Sequence, residues 1–469
     1  MAQFKYIQLA EKLRKAIKDG VWLPDDKLPS IRQLAQQYQL SKISVQHALQ
    51  FLEAQGELVA KAKSGYFVNE IKTTLNNTPE SLSLAQPKLV EVPDVFYDIM
   101  SRSAAFDITP SSPITLPRSN HLDNLNRNIN KAMRQHQQRN AYYYGAPSGD
   151  ELLKQQIALR YKKRGVEVEA ADICITQGCQ NSLYLSLLQV CQAGDIVAVE
   201  SPAFYGVLQL LQHLKLKIVE IPSSFTRGIS PEDLSRAAQK WPIKACILTP
   251  TYATPTGASM SDEQKAQIVA VAKENDFTLI EDDIYGDLGF HEETKPLKAF
   301  DTDNRVILCS SLSKVLSRDL RIGWTISASR AKGIAQAKLV NHLANSQAIQ
   351  EGVAQFMMEG HYDRYLPILR RRLLNQREQL LVAIKQYWKT SVHYTVPDGG
   401  LSLWLKLEDR IDTMSLYNQA IKQSIVITPG NLFSSQDKFS SYLRLTFVQP
   451  TVGERLEAIK TLGSLLAKI

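Results

Sequence analysis

From about residue 113 to the C-terminus, short apolar runs alternate with amphipathic stretches, and this alternation constrains the fold more than any other feature of the chain. ICIT (173–176), IVAV (196–199), KIVEI (217–221), ACILT (245–249), TLIED (278–282), VILCS (306–310) and IGWTIS (322–327) read as strands. Residues 180–191, 204–213 and 261–274 carry helical periodicity between them. A strand that is apolar along its whole length has both faces covered. The pattern therefore predicts an α/β domain with a mixed, mostly parallel sheet under helices. Such sheets take their ligands just beyond the carboxyl ends of the strands, so the chemistry is expected immediately after each run.

The 469 residues are too many for one compact domain, and composition divides them. Residues 1–70 form a small unit, 71–112 a Ser/Thr/Asn/Pro-rich linker with one apolar patch (VFYDIM), and 113–469 the large domain. Within the large domain, about 140–330 makes the main sheet and about 390–469 completes a smaller α+β subdomain. The net charge of +8 suits a polyanionic partner or mere solubility. The N-terminus has no signal-peptide core, because Lys5, Glu11 and Lys12 interrupt it, and no apolar stretch reaches membrane-spanning length. The five cysteines lack C-x-x-C spacing, which points away from zinc or a disulfide framework and toward a reducing cytoplasm. No metal site is expected.

In the small unit, Ile7, Leu9, Leu13, Ala16 and Ile17 line one face of a helix over 6–19. Ser30, with Gln33 three residues on, is a capping box that starts a second helix reaching Tyr38. Ser41 caps a third, with Val45, Ala48, Leu49 and Leu52 inward. GELVAKAKSGYFVN then alternates like a hairpin turning at Lys63-Ser64-Gly65. Two short helices about a tight turn, followed by a hairpin, describe a winged helix-turn-helix. KLPSIRQLAQQYQLSKISVQHALQFLEAQGELVAKAKSGYFV resembles the GntR family of winged-helix repressors. The resemblance implies that Arg32, Ser41, Lys42, Ser44, Lys63 and Ser64 face a double-stranded DNA operator. Lysine replaces the family's usual arginine at position 42, and a lysine cannot make the planar two-point contact to guanine. With only ten Lys/Arg against seven Asp/Glu over residues 1–70, a single unit binds DNA weakly and is helped by pairing.

The strand ends of the large domain carry the chemistry. CSSLSKVLSRDLRIGW (309–324) sets Lys314 beside the hydroxyls of Ser311 and Ser313, with Arg321 seven residues on as a two-point anion partner. ITQGCQNSLYLSL (175–187) passes from a strand through a glycine turn into a helix, so the amides of Gly178, Cys179 and Gln180 form an anion cradle. LIEDDIYGDL (279–288) places Asp282 and Tyr285 after a strand. VESPAFYG (199–206), TPTYATPTGASM (249–260), PDGGLSLWLKL (397–407), ITPGNLFS (427–434), YLRLTFV (442–448) and YYYGAPSGDELLKQQIALRY (142–161) complete the set. Each has a bland alternative: an exposed lysine, a solvated acidic loop, a common strand-to-helix turn, a core Phe204, an outward arginine.

Taken in chain order over about 350 residues, these segments resemble the aminotransferase class I/II, fold-type I family. That resemblance implies pyridoxal 5'-phosphate (PLP) as cofactor, with Lys314 as the Schiff-base lysine. It implies that Ser311, Ser313, Arg321 and the cradle amides hold the phosphate. Asp282 would pair with the ring nitrogen, Tyr285 and Thr254 with the phenolic oxygen, and Phe204 would stack on the ring. Arg444 would hold a substrate carboxylate, and Tyr144 would reach the neighbouring subunit's phosphate. Thr254 stands where the family has asparagine, which weakens the case for efficient transamination, and SRD (317–319) replaces a Pro-Gly turn.

Joined to a GntR-type winged helix, the chain resembles the MocR/GabR class of regulators, nearer its YdcR-like branch. The expected function is a transcription regulator, acting as a homodimer, that senses PLP or an amino acid or amine effector through Lys314. The alternative is an active aminotransferase on an L-amino acid with an auxiliary DNA module. A third reading is a PLP-binding sensor with no amino substrate. Loops near 113–120 and 350–370 are expected to set side-chain selectivity.

Overall fold

A computed structural model describes residues 5–18, 21–22, 26–54, 57–61, 64–69, 86–90, 97, 99, 108–109, 120–138, 144–291, 293–436 and 438–469. The chain divides into two compact units, residues 1–74 and 75–469.

The small unit holds helices α1 (Lys5–Lys18), α2 (Ile31–Tyr38) and α3 (Lys42–Ala54) and strands β1 (Leu58–Lys61) and β2 (Gly65–Val68). The capping box forms as the sequence predicts: Gln33 N donates to Ser30 Oγ (3.3 Å), and Ser30 N donates to Gln33 Oε1 (2.8 Å). Gln39, in the left-handed region at φ 53°, ends α2 and makes the tight turn. Ser41 then caps α3, its Oγ accepting from Ser44 N at 3.1 Å. Val45, Ala48, Leu49 and Leu52 are fully buried, and Leu9, Leu13, Leu34, Leu58 and Val68 close the core around them. The β1–β2 hairpin runs from Leu58 opposite Val68 to Lys61 opposite Gly65. A third segment, not foreseen, joins it: Leu28 N donates to Tyr66 O and Val68 N to Asp26 O, both 2.9 Å.

In the large unit a nine-stranded sheet comprises β3 (Lys88–Leu89), β4 (Ile173–Thr176), β5 (Ile196–Ser201), β6 (Lys217–Ser224), β7 (Gly228–Ile229), β8 (Ile243–Leu248), β9 (Thr278–Asp282), β10 (Val306–Ser311) and β11 (Gly323–Ile326). Its order is β3-β6-β5-β8-β9-β10-β11-β4, with β7 paired to β6. The central strands β6, β5, β8, β9 and β10 are parallel, and β11 runs antiparallel to both neighbours. The sheet is thus mixed and mostly parallel. Every residue of β4, β9, β10 and β11 is buried, which is why these segments read as unbroken apolar runs. Within the stretch expected as linker, Lys88–Leu89 pairs antiparallel with β6 as an edge strand, and Val90, Ile99 and Ile108 are buried in the large unit.

A second, antiparallel sheet of four strands follows: β12 (His393–Tyr394), β13 (Ser402–Lys406), β14 (Thr428–Pro429) and β15 (Tyr442–Thr446), in the order β12-β13-β15-β14. The long helix His361–Tyr387 and the final helix Gly453–Leu466 pack with it around Trp404, Phe433 and Phe447. The segment around 350–370 is not a loop. It is helical from Gln347 to Met358 and again from His361, broken only by Glu359 and Gly360, the latter at φ 71°. The segment near 113–120 lies outside the described residues, apart from Asn120. Among the described residues no helix is long and apolar enough to cross a membrane, and no group of three or more side chains could hold a metal ion. All five cysteines are free thiols.

Candidate functional site

The ends of β4, β9 and β10 lie side by side, because β9 and β10 are direct neighbours and β11 bridges β10 to β4. At the end of β10, Ser311 Oγ accepts from Ser313 N (3.3 Å) and opens a single 3-10 turn, Leu312–Lys314. Leu312 N donates to Ile322 O (3.0 Å), pinning the loop to the start of β11. Lys314 is thereby held against the sheet rather than extended into solvent. Its ammonium is pulled down to about 7, first by burial and then by the nearby Arg318 and Arg444, against the opposing pull of Asp282 and Cys179.

Asp282 ends β9 and is buried. Its Oδ1 accepts from Cys179 Sγ (3.1 Å) and from Ile284 N (3.2 Å). Burial pushes its carboxyl up to about 6, and those two hydrogen bonds resist the rise. Tyr285, three residues on, is buried with its hydroxyl raised by burial and by Asp282, while Arg444 and a hydrogen bond from Thr254 oppose that.

Beyond β4 the chain turns at Gly178 (φ 91°) into the helix Cys179–Val190. Arg321, itself at φ 49°, donates from Nη2 to Gln177 O at 2.6 Å. A Cβ on Gly178 would lie 2.7 Å from that nitrogen, and one on Gly323 would lie 2.5 Å from the Gly178 carbonyl carbon. Only glycine lets the guanidinium, the turn and β11 approach this closely. A guanidinium and a helix N-terminus therefore stand together, a cradle for an anion.

Phe204 is half-buried, 4.7 Å between ring centres from Tyr205, at the start of the helix Tyr205–His213. The Gln180 side chain is committed elsewhere, donating to Gly206 O at 2.7 Å, so only its backbone amide serves the helix start. Arg444 is fully buried on β15, donates to Thr428 Oγ1 (3.3 Å) and lies 5.3 Å from the ring centres of both Tyr205 and Phe433. Tyr144 is 78% exposed.

In the small unit, Arg32, Ser41, Lys42 and Ser64 are exposed and Ser44 is half-buried. The hydroxyls of Ser41 and Ser44 are 2.9 Å apart at the start of α3. Lys63 lies outside the described residues.

Sequence reasoning missed what stands behind the cluster. The Cys179 thiol, expected to matter only through its amide, orients Asp282. Asp283, adjacent to Asp282, instead forms a buried ion pair with Arg164 and accepts from Tyr161 OH (2.9 Å). Asp287 pairs with Arg160 and accepts from Tyr362 OH (2.5 Å). Glu200 accepts from Thr249 N (3.0 Å), and burial pushes it up to about 8. These partners are 49 to 127 residues apart in sequence, and no local pattern signals them.

The fold and the cluster define a protein of aminotransferase architecture. The family model for aminotransferase class I and II matches residues 116–462, and that for bacterial regulatory proteins of the gntR family matches 5–68. The chain belongs to the aminotransferase class I and II family. It also belongs with the HTH-type transcriptional regulators that carry both domains, consistent with the MocR/GabR class. It is 34% identical over 465 residues to the HTH-type transcriptional regulator YdcR of Escherichia coli, covering 98% of this chain and 99% of that one. It is also 34% identical to YjiR of the same organism, covering 98% of each chain. Among solved structures, the kynurenine aminotransferase of Pyrococcus horikoshii, in complex with PMP, superposes with a TM-score of 0.70 at 25% identity. That match covers 81% of this chain and 95% of the other.

Proposed function

We infer that the chain is a PLP-dependent, DNA-binding transcription regulator in which the winged helix contacts an operator and the aminotransferase-like unit senses PLP, an amino acid or an amine. The observation that carries the cofactor reading is the joint geometry of Gly178, Arg321, Asp282 and Lys314. A glycine turn too tight for a Cβ leaves helix amides beside a guanidinium, which suits a phosphate. A buried carboxylate held by two donors on one oxygen keeps its other oxygen for a protonated ring nitrogen. A lysine whose ammonium is lowered to about 7 is neutral in a substantial fraction at neutral pH, far more than an ordinary lysine. The residues fit the group.

When bound, PLP supplies a carbonyl carbon for an amine and an electron-withdrawing ring. This chain's residues do the rest. Ser311, Ser313, Arg321 and the amides of Gly178, Cys179 and Gln180 fix the phosphate, and Phe204 covers one ring face. Asp282 holds a proton at the ring nitrogen, Tyr285 and Thr254 donate toward the phenolic oxygen, and Lys314 offers or accepts the proton at its Nζ. Arg444 grips an α-carboxylate. Thr254 is a shorter donor than asparagine, which favours retention of ligand over turnover. Tyr144, exposed in its own chain, is suited to a partner in a homodimer. At the start of α3, Ser41, Lys42 and Ser44, with Arg32, Lys63 and Ser64, meet phosphates and base edges of duplex DNA. A ligand regulates only if it binds the two DNA-binding states unequally. The protein is expected to act in the cytoplasm.

The test is operator binding by the full-length protein with and without PLP and a panel of amino acids, for wild type and Lys314→Ala. A ligand-dependent change in affinity or footprint that disappears in Lys314→Ala supports the reading. Turnover of amino acid and 2-oxo acid with no operator binding would favour the aminotransferase alternative.

A further inference from the structure

The helix His361–Tyr387 presents Ile368, Arg371, Arg372, Asn375 and Gln376 at three- and four-residue spacing, and with Pro450 they line a cleft of about 580 Å³. This is the size range of small-ligand sites. Neither Asp nor Glu lines it. On the same helix Arg370 faces Glu293 (3.8 Å) and Arg377 pairs with Glu378, whereas Arg371 and Arg372 form no ion pair with a described residue. Two guanidinium groups thus stand at one opening with no ion-pair partner among the described residues.

Buried polar atoms of the lining residues and of the adjoining Thr451 are also unmatched. Gln376 is only 4% exposed, and its Oε1 accepts no hydrogen bond. Arg372 Nε is buried without an acceptor, and so is the hydroxyl of Thr451, next to Pro450. Thr451 N donates to Gln379 Oε1 at 3.3 Å. Buried polar atoms are normally paired, and each orphan costs about 1–3 kcal/mol. Orphaned donors beside unpaired cations call for an anionic oxygen, and the orphaned Gln376 carbonyl calls for a hydroxyl or amine. The opposite side of this helix holds the segment after Tyr285: Tyr362 OH reaches Asp287 Oδ2, and Arg370 Nε donates to Asp287 O (2.9 Å). The cleft is therefore separate from the cluster at Lys314 but lies on a helix that braces it.

We propose that this cleft is an accessory site for a small organic anion, a carboxylate or phosphate that also carries a hydroxyl or amino group, held by Arg371, Arg372 and Gln376. Full-length protein saturated with PLP, so that the cradle at Gly178 and Arg321 is filled, is titrated by calorimetry with inorganic phosphate and separately with glycolate. The two probes distinguish a phosphate from a carboxylate ligand. The same titration on cofactor-free Arg321→Ala protein keeps the result independent of the PLP reading. Wild type binds one probe at one site per chain. The double variant Arg371→Gln, Arg372→Gln weakens it by at least about tenfold, as loss of a charge-assisted contact requires. Ile368→Trp, at a half-exposed position, fills the cleft with both charges intact and weakens it likewise. Circular dichroism checks that each variant is folded. Affinity unchanged in both variants, or no binding of either probe at millimolar concentration, overturns the proposal. So does a duplex-DNA affinity that falls in the double variant while neither small anion binds, because the arginines would then serve nucleic-acid phosphate.

Discussion

The two units solve the problem of presenting polar chemistry in opposite ways. In the winged-helix unit, the candidate DNA residues Arg32, Ser41 and Lys42 are exposed around a core of buried aliphatic residues. Their spacing along two short helices is enough to put them together. In the aminotransferase unit, Asp282, Tyr285, Thr254 and Arg444 are buried and come from three segments far apart in sequence, around 254, 282–285 and 444. The first site lies at the surface in high dielectric, where its proposed partners are phosphates in water. The second works in low dielectric, where burial is the largest influence moving Lys314 down to about 7 and Asp282 up to about 6, with neighbouring charges adding to it or opposing it. A surface site tolerates substitution one residue at a time, whereas a buried one depends on every partner that compensates its charges.

The sharpest way to break this contrast is to unfold one unit and watch the other. Leu34→Ala removes a fully buried side chain from the small core and is expected to cost about 2–5 kcal/mol. Operator binding should be lost while the visible absorbance of bound PLP persists. A simultaneous loss of both would show that the units fold as one. Next in size is Asp282→Asn, which keeps the shape but removes the charge proposed to pair with the ring nitrogen. Retention of PLP, followed by dialysis and fluorescence, should fall roughly 10- to 100-fold with operator affinity for the cofactor-free form unchanged. Lys42→Ala should have a smaller effect, weakening DNA binding alike across sequences. It should also lower the slope of log affinity against log salt by about 1, as one phosphate contact does.

The smallest effects concern pH and have opposite signs at two buried groups. For Lys314 the folded value near 7 lies below the ordinary 10.5, so between them the unfolded chain holds a proton that the folded chain does not. Its contribution to stability therefore rises with pH over that window. Cofactor-free Lys314→Met should melt about 1–3 °C above wild type near pH 7, with the gap closing toward pH 10. Glu200 is raised from 4.5 to about 8, so the folded chain holds the extra proton and stability from this group falls as pH rises through that range. Glu200→Gln keeps an acceptor for Thr249 N and should gain on wild type from pH 5 to pH 8. Scanning calorimetry across pH checks both, and parallel curves for either variant would contradict the assigned burial.

Much of this was legible in the chain. Each strand expected from an apolar run formed, most within a residue or two and β6 three residues longer at its end, because burial on both faces favours apolar composition. The helix starts at Ser30 and Ser41 were equally plain, since a cap is a local interaction over three residues. The helical break at Gly360 was misread as loop, because one left-handed glycine between two helices looks like a longer interruption. The pairing of Lys88–Leu89 with β6 was also hidden: two residues carry no period, and only a sheet edge 130 residues away makes them a strand. At the cluster, Lys314 and Asp282 were readable by their place after strands. The Cys179 thiol, Arg164 with Asp283, and Arg160 with Asp287 were not, because nothing local separates a buried acid from a solvated one.

The sequence by itself determined the two-part organisation, the strand and helix content, and which residue types stand at each strand end. Those depend on periodicity, capping and composition, which act over fewer than about twenty residues. Only the tertiary structure decided which of two adjacent acids, Asp282 or Asp283, faces Lys314 and which is neutralised by an arginine behind it. It alone decided that, among the described residues, Arg371 and Arg372 have no carboxylate partner while Arg370 and Arg377 do. Charge compensation is a matter of distance and dielectric, and both are set by chain segments a hundred or more residues apart that meet only when the sheet is complete.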